Sequence, residues 1–173
     1  NFIALPNKED LDLTDQWILS KLNNTISNVD RAYASYRMND AVKIVYDFVY
    51  SDFCDWYIEF SKTRFYGDNK KNRATALNVS VYCMRTILKL LHPYTPYITE
   101  ELWSYFSIND EKMLILEAWP KSNKEQINCP LFLSNNSIRP CVFDKLNCFV
   151  AVSSFNKIDK CLNKKKLFYF CLT

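Results

Sequence analysis

The sequence contains very little glycine and histidine. Its 173 residues include one glycine, Gly67, and one histidine, His92. Phosphate-binding loops need several glycines so that the backbone can approach the phosphates, and this sequence cannot build one. A single histidine also excludes a zinc site that uses two histidines. We therefore expect no catalytic residue, no metal site and no nucleotide cofactor in this chain.

Long apolar runs are missing as well. No run reaches the roughly 18 apolar residues of a transmembrane helix, and the charged residues 8–10 are not expected in a signal peptide. The chain starts at Asn1 rather than at Met, so we expect it to be part of a longer chain. Its seven cysteines are odd in number and form no C-x-x-C pair, which favours reduced thiols and a cytoplasmic protein.

Apolar residues are plentiful despite these absences. Hydrophobic residues make up 49% of the chain and aromatic residues 16%, which is enough for a packed core. We expect a mainly α fold, an antiparallel helix bundle over residues 1–120. Residues 121–173 form a divergent or truncated tail in this interpretation, with short β-prone runs at residues 131–133, 141–143, 148–152 and 167–172.

Apolar periodicity predicts two helices in the first third of the chain. The first runs from about Thr14, a plausible N-cap, to Tyr36. Its predicted buried stripe consists of Ile18, Leu22, Ile26, Val29 and Tyr33. The second runs from Asn39, also a plausible N-cap, to Ser61. Its two apolar sets, which indicate burial on more than one side, are Val42, Val45, Val49, Phe53, Trp56 and Phe60, and Ala41, Ile44 and Phe48.

Two further helices are predicted after a turn at residues 67–69. One runs from about Arg73 to Leu91 and ends before Pro93, because the residue before a proline disfavours helical geometry. Its predicted buried face consists of Ala74, Leu77, Val81, Met84, Leu88 and Leu91. The other is short and starts at Pro96, with Thr95 as its cap. Its predicted apolar contacts are Leu102, Trp103 and Phe106.

Charge is segregated along the chain. The net charge of +3 is the balance of −5 in residues 1–60, +6 in residues 61–92, −3 in residues 93–130 and +5 in residues 131–173. A protein that contacts RNA at one face and repels it elsewhere has this kind of distribution.

Four strings resemble the anticodon-binding bundle of class Ia aminoacyl-tRNA synthetases. They are Asp-Gln-Trp-Ile-Leu-Ser-Lys-Leu at residues 15–22, Tyr-Arg-Met-Asn-Asp-Ala at 36–41, Asp-Phe-Cys-Asp-Trp-Tyr-Ile-Glu at 52–59 and Leu-Leu-His-Pro-Tyr-Thr-Pro-Tyr-Ile-Thr-Glu-Glu-Leu-Trp at 90–103. A later Trp-Pro, at residues 119–120, fits as well. The third string is similar to the valyl type, and the same module of an isoleucyl or leucyl enzyme is the close alternative. The tail departs from the family, which usually continues with another long helix.

The resemblance implies a role in tRNA recognition. Members of this family join an amino acid to tRNA using ATP, but the paired-histidine and Lys-Met-Ser-Lys-Ser motifs of the catalytic domain do not occur here. We expect this chain to be inactive alone. Its expected partners are the anticodon region of valine tRNA and the remainder of the synthetase chain, with no membrane or DNA partner. A helical scaffold that binds another protein is the alternative of a different class.

Two inter-helix segments are the candidates for tRNA contact. The stronger is residues 62–73, because cations hold phosphates while aromatic groups and amides contact unpaired bases. Its candidate residues are Lys62, Arg64, Tyr66, Asn69, Lys70, Lys71 and Arg73. The alternative is a solvated loop whose Phe65 and Tyr66 pack back onto the bundle. The weaker segment contains Arg31, Arg37 and Asn39, where a helix cap and solvated arginines are the more ordinary interpretation.

Several other conspicuous residues are predicted to be structural. We expect Trp56, Tyr57 and Trp103 to lie in the core, and His92 to bind backbone at a helix end. Asp52 and Asp55 form a carboxylate pair without a neighbouring base or metal ligand in the sequence, so no catalysis is expected there.

Overall fold

A computed structural model describes Pro6, residues 8–106 and residues 113–123 of the protein. All of these lie in one compact unit, Asn1–Phe132. The predicted β-prone runs of the tail lie outside the described residues.

The described part is built from helices, which confirms the mainly α prediction. In chain order they are a 3₁₀ turn Lys8–Asp10, α1 Leu13–Ala34, α2 Met38–Asp47, a π-helical segment Phe48–Ile58, α3 Glu59–Phe65, α4 Lys70–Leu91, α5 Pro96–Phe106 and a 3₁₀ turn Leu114–Leu116. Within residues 8–106 and 113–123, no helix is both long and apolar enough to cross a bilayer.

Helix α1 has the predicted stripe but a different start. Its N-cap is Asp12 rather than Thr14, because Asp12 and Asp15 form a reciprocal capping box. Four of the five stripe residues are buried and the fifth, Tyr33, is half-buried.

The second predicted helix is longer than expected. The helical path is continuous from residue 38 to residue 65, and its N-cap is Arg37, without a side-chain cap, rather than Asn39. The π-helical segment explains a shift of the buried face. Phe48 and Phe53 are both buried although they are five residues apart, the spacing of a π turn. Consequently Tyr57 is fully buried, whereas Trp56 is only half-buried.

The predicted buried face of α4 is largely wrong. Only Leu88 of the predicted set is buried, and Ala74 is exposed. The apolar residues buried along this helix are Ala76, Val79, Cys83, Ile87, Leu88 and Leu90. The difference arises because α4 has two apolar sides, one in the main core and one toward α5. The pattern alone does not indicate which side is more deeply covered.

Helix α5 starts at Pro96, as predicted, and packs against α4. Trp103 and Leu88 form a second buried cluster with Leu114. Thr95 lies at the cap position before Pro96, where its carbonyl accepts from the Thr99 N–H at 3.1 Å, and its hydroxyl donates to the Leu91 carbonyl at 3.4 Å. Glu100 accepts hydrogen bonds from the backbone N–H groups of residues 114 and 115, at 2.9 and 3.0 Å, and so fixes the last 3₁₀ turn.

His92 differs from the prediction of a backbone partner. Its Nδ1 lies 2.9 Å from the Thr99 hydroxyl. That hydroxyl donates to the Thr95 carbonyl at 2.8 Å, which leaves its oxygen to accept from the histidine. The contact ties the end of α4 to the first turn of α5.

Candidate nucleic-acid interface

The two predicted RNA-contact segments lie at opposite ends of the bundle. Residues 62–73, here called the basic junction, adjoin the start of α1, because Arg64 binds Asp15 and Lys71 binds Asp10. Residues 31–40, here called the first joint, follow the end of α1. Since α1 has 22 residues, the two segments are separated by about 33 Å.

A tight turn shapes the basic junction. A Cβ at Gly67 would lie 2.9 Å from the Thr63 carbonyl oxygen, so this position requires glycine. Asn69 then caps α4, since its side-chain oxygen accepts from the N–H groups of Lys71 and Asn72 at 3.1 and 3.2 Å. The helix therefore starts three residues earlier than predicted. The amide predicted to contact RNA has its oxygen in this cap.

Arg64, a predicted RNA ligand, belongs to a buried network. Its Nη1 donates to the Asp15 carboxylate at 2.8 Å, and the Tyr57 hydroxyl donates to the same oxygen, also at 2.8 Å. Asp15 is fully buried, and its second oxygen accepts from the Asp12 N–H at 3.1 Å. The network joins the start of α1, the π-helical segment and the end of α3. It holds the basic junction against the bundle.

Two groups of this network have shifted pKa values. Burial, together with the negative charge of Asp15, raises the pKa of Tyr57, so its hydroxyl remains a donor. Burial opposes the charge on Arg64, but the hydrogen bond and charge of Asp15 outweigh it and raise the pKa of the guanidinium. Arg64 therefore stays charged, and its contact with Asp15 is a hydrogen-bonded ion pair.

The remaining cations of the basic junction differ in what they contact. Lys62 pairs with Glu59 within α3, and Lys71 pairs with Asp10 at 2.6 Å while its side chain stays 74% exposed. Lys70 and Arg73 are exposed and form no ion pair with any described residue. They are three positions apart at the start of α4 and so lie on the same side of the helix.

The two aromatic residues of the junction are divided between core and surface. Phe65 is half-buried, as the solvated-loop alternative predicts for it, whereas Tyr66 is 42% exposed. Tyr66 is therefore partly exposed, four residues before the first cation of α4.

The first joint is a Schellman turn. The Arg37 N–H binds the Ala32 carbonyl and the Tyr36 N–H binds the Tyr33 carbonyl, both at 2.9 Å. Tyr36 has a φ of 57°, which is the left-handed conformation, and its side chain is 87% exposed. Sequence reasoning did not single out this tyrosine. The available signal was that the first predicted helix ends in a turn without glycine, so that another residue has to take the left-handed position.

The predicted arginines of the first joint are exposed and locally paired. Arg31 donates to Asn28, and Arg37 pairs with Asp40 at 3.3 Å. Both line a surface cleft of about 420 Å³. The full lining is Asn28, Arg31, Ala32, Arg37, Asp40, Lys43, Ile44 and Asp47. Asn39, the other candidate here, is exposed and does not line the cleft.

Comparison with known proteins identifies the bundle. The family described as the anticodon-binding domain of tRNA ligase matches residues 15–164. The match extends beyond residue 120, where the motif resemblance ended. The boundary placed there from the sequence stays a prediction.

Three similar proteins are bacterial valine–tRNA ligases. The protein of Prochlorococcus marinus subsp. pastoris is 37% identical over 123 residues, 70% of this chain and 13% of that ligase. The protein of Thermosynechococcus vestitus is 39% identical over 127 residues, 73% of this chain and 14% of that ligase. The protein of Aquifex aeolicus is 38% identical over 139 residues, 73% of this chain and 12% of that ligase.

The chain thus spans about one-eighth to one-seventh of the length of these ligases. The helical architecture, the ordered motifs and the family match over residues 15–164 agree with one another. The chain belongs to the family of anticodon-binding domains of tRNA ligases.

Proposed function

We propose that this chain docks the anticodon arm of valine tRNA as part of a valine–tRNA ligase, and that the basic junction makes the contact. The valine assignment is supported by relatives of that name at 36–40% identity. Activation of valine with ATP belongs to the remainder of such a ligase in this proposal, and the expected compartment is the cytoplasm.

The observation that carries the proposal is the pair of exposed cations at the start of α4. Lys70 and Arg73 form no ion pair with the described residues, so binding a phosphate does not require them to leave a protein partner. The positive end of the α4 dipole lies at the same place and favours an anion. These two side chains and the helix end together form a phosphate-binding surface.

Tyr66 adds a group suited to bases. Unpaired bases stack on aromatic rings while neighbouring cations hold the backbone. The partly exposed Tyr66 lies at the end of α3, four residues before Lys70. Arg64 and Asn69 hold the basic junction in place in our proposal, through Asp15 and the α4 cap, and the contact itself is made by Lys70, Arg73 and Tyr66.

The test is binding of the whole 173-residue chain to valine, isoleucine and leucine tRNAs at two salt concentrations. We expect the tightest binding to valine tRNA, weakened by salt because phosphate contacts release counterions. Preference for isoleucine or leucine tRNA would assign the module to that ligase instead.

A helical scaffold would give a different result. A folded chain, verified by circular dichroism, that binds none of the three tRNAs at low salt would contradict the proposal. If the same folded chain bound a protein partner but none of the tRNAs, the scaffold alternative would be favoured.

A further inference from the structure

Tyr36 occupies a backbone position that suits glycine. It is the residue after the last turn of α1, with φ of 57°, and in Schellman turns this position is usually glycine because a Cβ is disfavoured there. No other described non-glycine residue has a positive φ. The bundle therefore tolerates one strained residue at its first joint.

The strain is not offset by packing. The Tyr36 side chain is 87% exposed, and within the described part of the chain it has no ring contact or side-chain hydrogen bond. A bulky residue that is strained and buries almost nothing is better explained by what it binds than by the fold.

The groups around Tyr36 match a nucleotide. An open surface cleft of about 420 Å³ adjoins Tyr36, since the neighbouring residue Arg37 is part of its lining. Its charged lining residues are the cations Arg31, Arg37 and Lys43 and the acids Asp40 and Asp47. Cations outnumber acids, and the acid nearest Arg37 orients that guanidinium at 3.3 Å.

A second exposed tyrosine lies at the same end of the bundle. The Tyr94 hydroxyl donates to the Met38 carbonyl at 3.1 Å, which places the α4–α5 turn beside the first joint. Tyr97, three residues further on, is 92% exposed. This end therefore presents two of the most exposed aromatic side chains of the described residues.

We propose that Tyr36 and its cleft form a second RNA site, which binds an unpaired nucleotide outside the anticodon loop. The base stacks on Tyr36, and Arg31, Arg37 and Lys43 hold its phosphates. The choice of RNA as the ligand rests on the proposed function, whereas the location of the site at Tyr36 does not. The distance of about 33 Å from the basic junction means that one loop cannot occupy both sites.

The test compares Tyr36→Asn with Tyr36→Phe in the whole chain. Asparagine tolerates the left-handed conformation without a stacking ring, and phenylalanine retains the ring. Binding is measured to full-length valine tRNA and to its isolated anticodon stem-loop. Tyr105→Asn, at a 58% exposed tyrosine near the other end of α5, is the matched control.

We expect Tyr36→Asn to weaken full-length tRNA binding by about 5- to 150-fold, the contribution of one stacked base. Its binding to the stem-loop should equal that of the wild type, Tyr36→Phe should restore tRNA binding, and the control should change neither. The unfolding temperature of Tyr36→Asn should not fall, since a strained residue is removed.

Unchanged tRNA binding by Tyr36→Asn would overturn the second site. Equal weakening of tRNA and stem-loop would also overturn it, because Tyr36 would then contact the anticodon arm itself. A fall in unfolding temperature would instead assign Tyr36 to the fold. If the wild-type chain bound no tRNA, the proposed function would fail without deciding the second site. The second site would still be supported if the wild-type chain bound a single-stranded oligoribonucleotide and Tyr36→Asn abolished that binding.

Discussion

The two ends of the bundle use their charged residues differently. At the basic junction, acids of the α1 start pair with Arg64 and Lys71, while Lys70 and Arg73 remain exposed beside them. At the first joint, by contrast, each predicted arginine is exposed and has one local contact, with a residue three positions away. Ion pairs between residues distant in sequence thus fix the shape of the basic junction. At the first joint the side chains pair only with near neighbours, so its shape depends on the backbone turn.

This difference separates cations that hold the fold from cations that are available to a ligand. Arg64 has only 14% of its side chain exposed and contacts a fully buried carboxylate. Lys70 and Arg73 are in the same sequence segment and form no such pair with the described residues. A cluster of cations in a sequence can therefore contain both residues that stabilise the fold and residues that are available to a ligand. Only the contacts of each side chain in the structure distinguish the two.

The largest effect is expected from breaking the buried network at the basic junction. Asp15→Ala removes the 2.8 Å acceptor that Arg64 and Tyr57 share, and leaves them only longer contacts: Arg64 with Asp12 at 3.9 Å and the Asn72 carbonyl at 3.4 Å, and Tyr57 with the Ala76 carbonyl at 3.4 Å. We expect the free energy of unfolding to fall by about 3 kcal/mol, the lower end of the range for one lost partner, because Arg64 retains some contact with water. Urea denaturation followed by circular dichroism measures it.

The exposed Asp55 provides the matched control. Asp55→Ala should change the free energy of unfolding by less than about 0.5 kcal/mol. If Asp15→Ala were as stable as this control, Arg64 would not be held by Asp15, and the distinction between the two classes of cation would be lost.

The second prediction compares the available cations of the two ends. A charge-assisted hydrogen bond contributes about 1.5–3 kcal/mol. Lys70→Gln with Arg73→Gln should therefore weaken binding to the anticodon stem-loop at least about tenfold. The slope of log affinity against log salt should also become shallower by about 1.4–1.8 for two lost phosphate contacts. Fluorescence anisotropy over a salt series gives both quantities.

Arg31→Gln with Arg37→Gln serves as the comparison at the first joint, and should leave stem-loop affinity and its salt slope unchanged. An equal loss in both double variants would mean that the stem-loop contacts both ends.

The third prediction contrasts the two backbone turns. Gly67→Ala introduces a Cβ at 2.9 Å from a backbone oxygen and should destabilise the fold by about 1 kcal/mol. Tyr36→Gly relieves a left-handed residue and should leave stability unchanged or higher. Thermal unfolding of both variants checks this. Unchanged or higher stability in Gly67→Ala, or lower stability in Tyr36→Gly, would contradict the account of the two turns.

The smallest effect concerns the core between the two ends. Burial, with the negative charge of Asp15, raises the pKa of the Cys83 thiol. A raised folded-state pKa means that its contribution is complete below the unfolded pKa of about 8.5 and is lost as the pH rises above it. We expect the unfolding free energy to fall by about 0.7 kcal/mol between pH 8 and pH 9 from this group.

A Cys83→Ala variant should show a smaller fall over the same pH range, measured by urea denaturation. The same pH dependence of the unfolding free energy should persist in the Tyr36→Gly and Gly67→Ala variants if their effects are confined to the first joint and the basic junction. An equal pH dependence with and without Cys83 would contradict its assignment.

The sequence predicts this fold better than it predicts the site. Periodicity identified the α1 stripe, because this helix has one apolar side, and the proline at position 96 identified the start of α5. Periodicity failed on α4, whose two apolar sides have similar spacing. The π-helical segment also shifted burial from Trp56 to Tyr57, which regular helical periodicity does not anticipate.

The sequence indicates a candidate segment but not the role of each residue in it. The cation-rich residues 62–73 were found from composition alone. The partner of Arg64 lies 49 positions earlier in the chain, so only folding reveals that it is an ion pair. The left-handed conformation of Tyr36 is likewise a property of the backbone that its residue type does not indicate.

The most direct test of the central claim is a crosslink from the anticodon itself. Valine tRNA carrying 4-thiouridine in its anticodon loop is bound to the whole chain and irradiated, and the attached peptides are identified by mass spectrometry. We predict attachment within residues 62–73, with loss of that product in the Lys70→Gln, Arg73→Gln variant. Attachment confined to residues 31–40, or to neither end, would contradict the assignment of the anticodon contact to the basic junction.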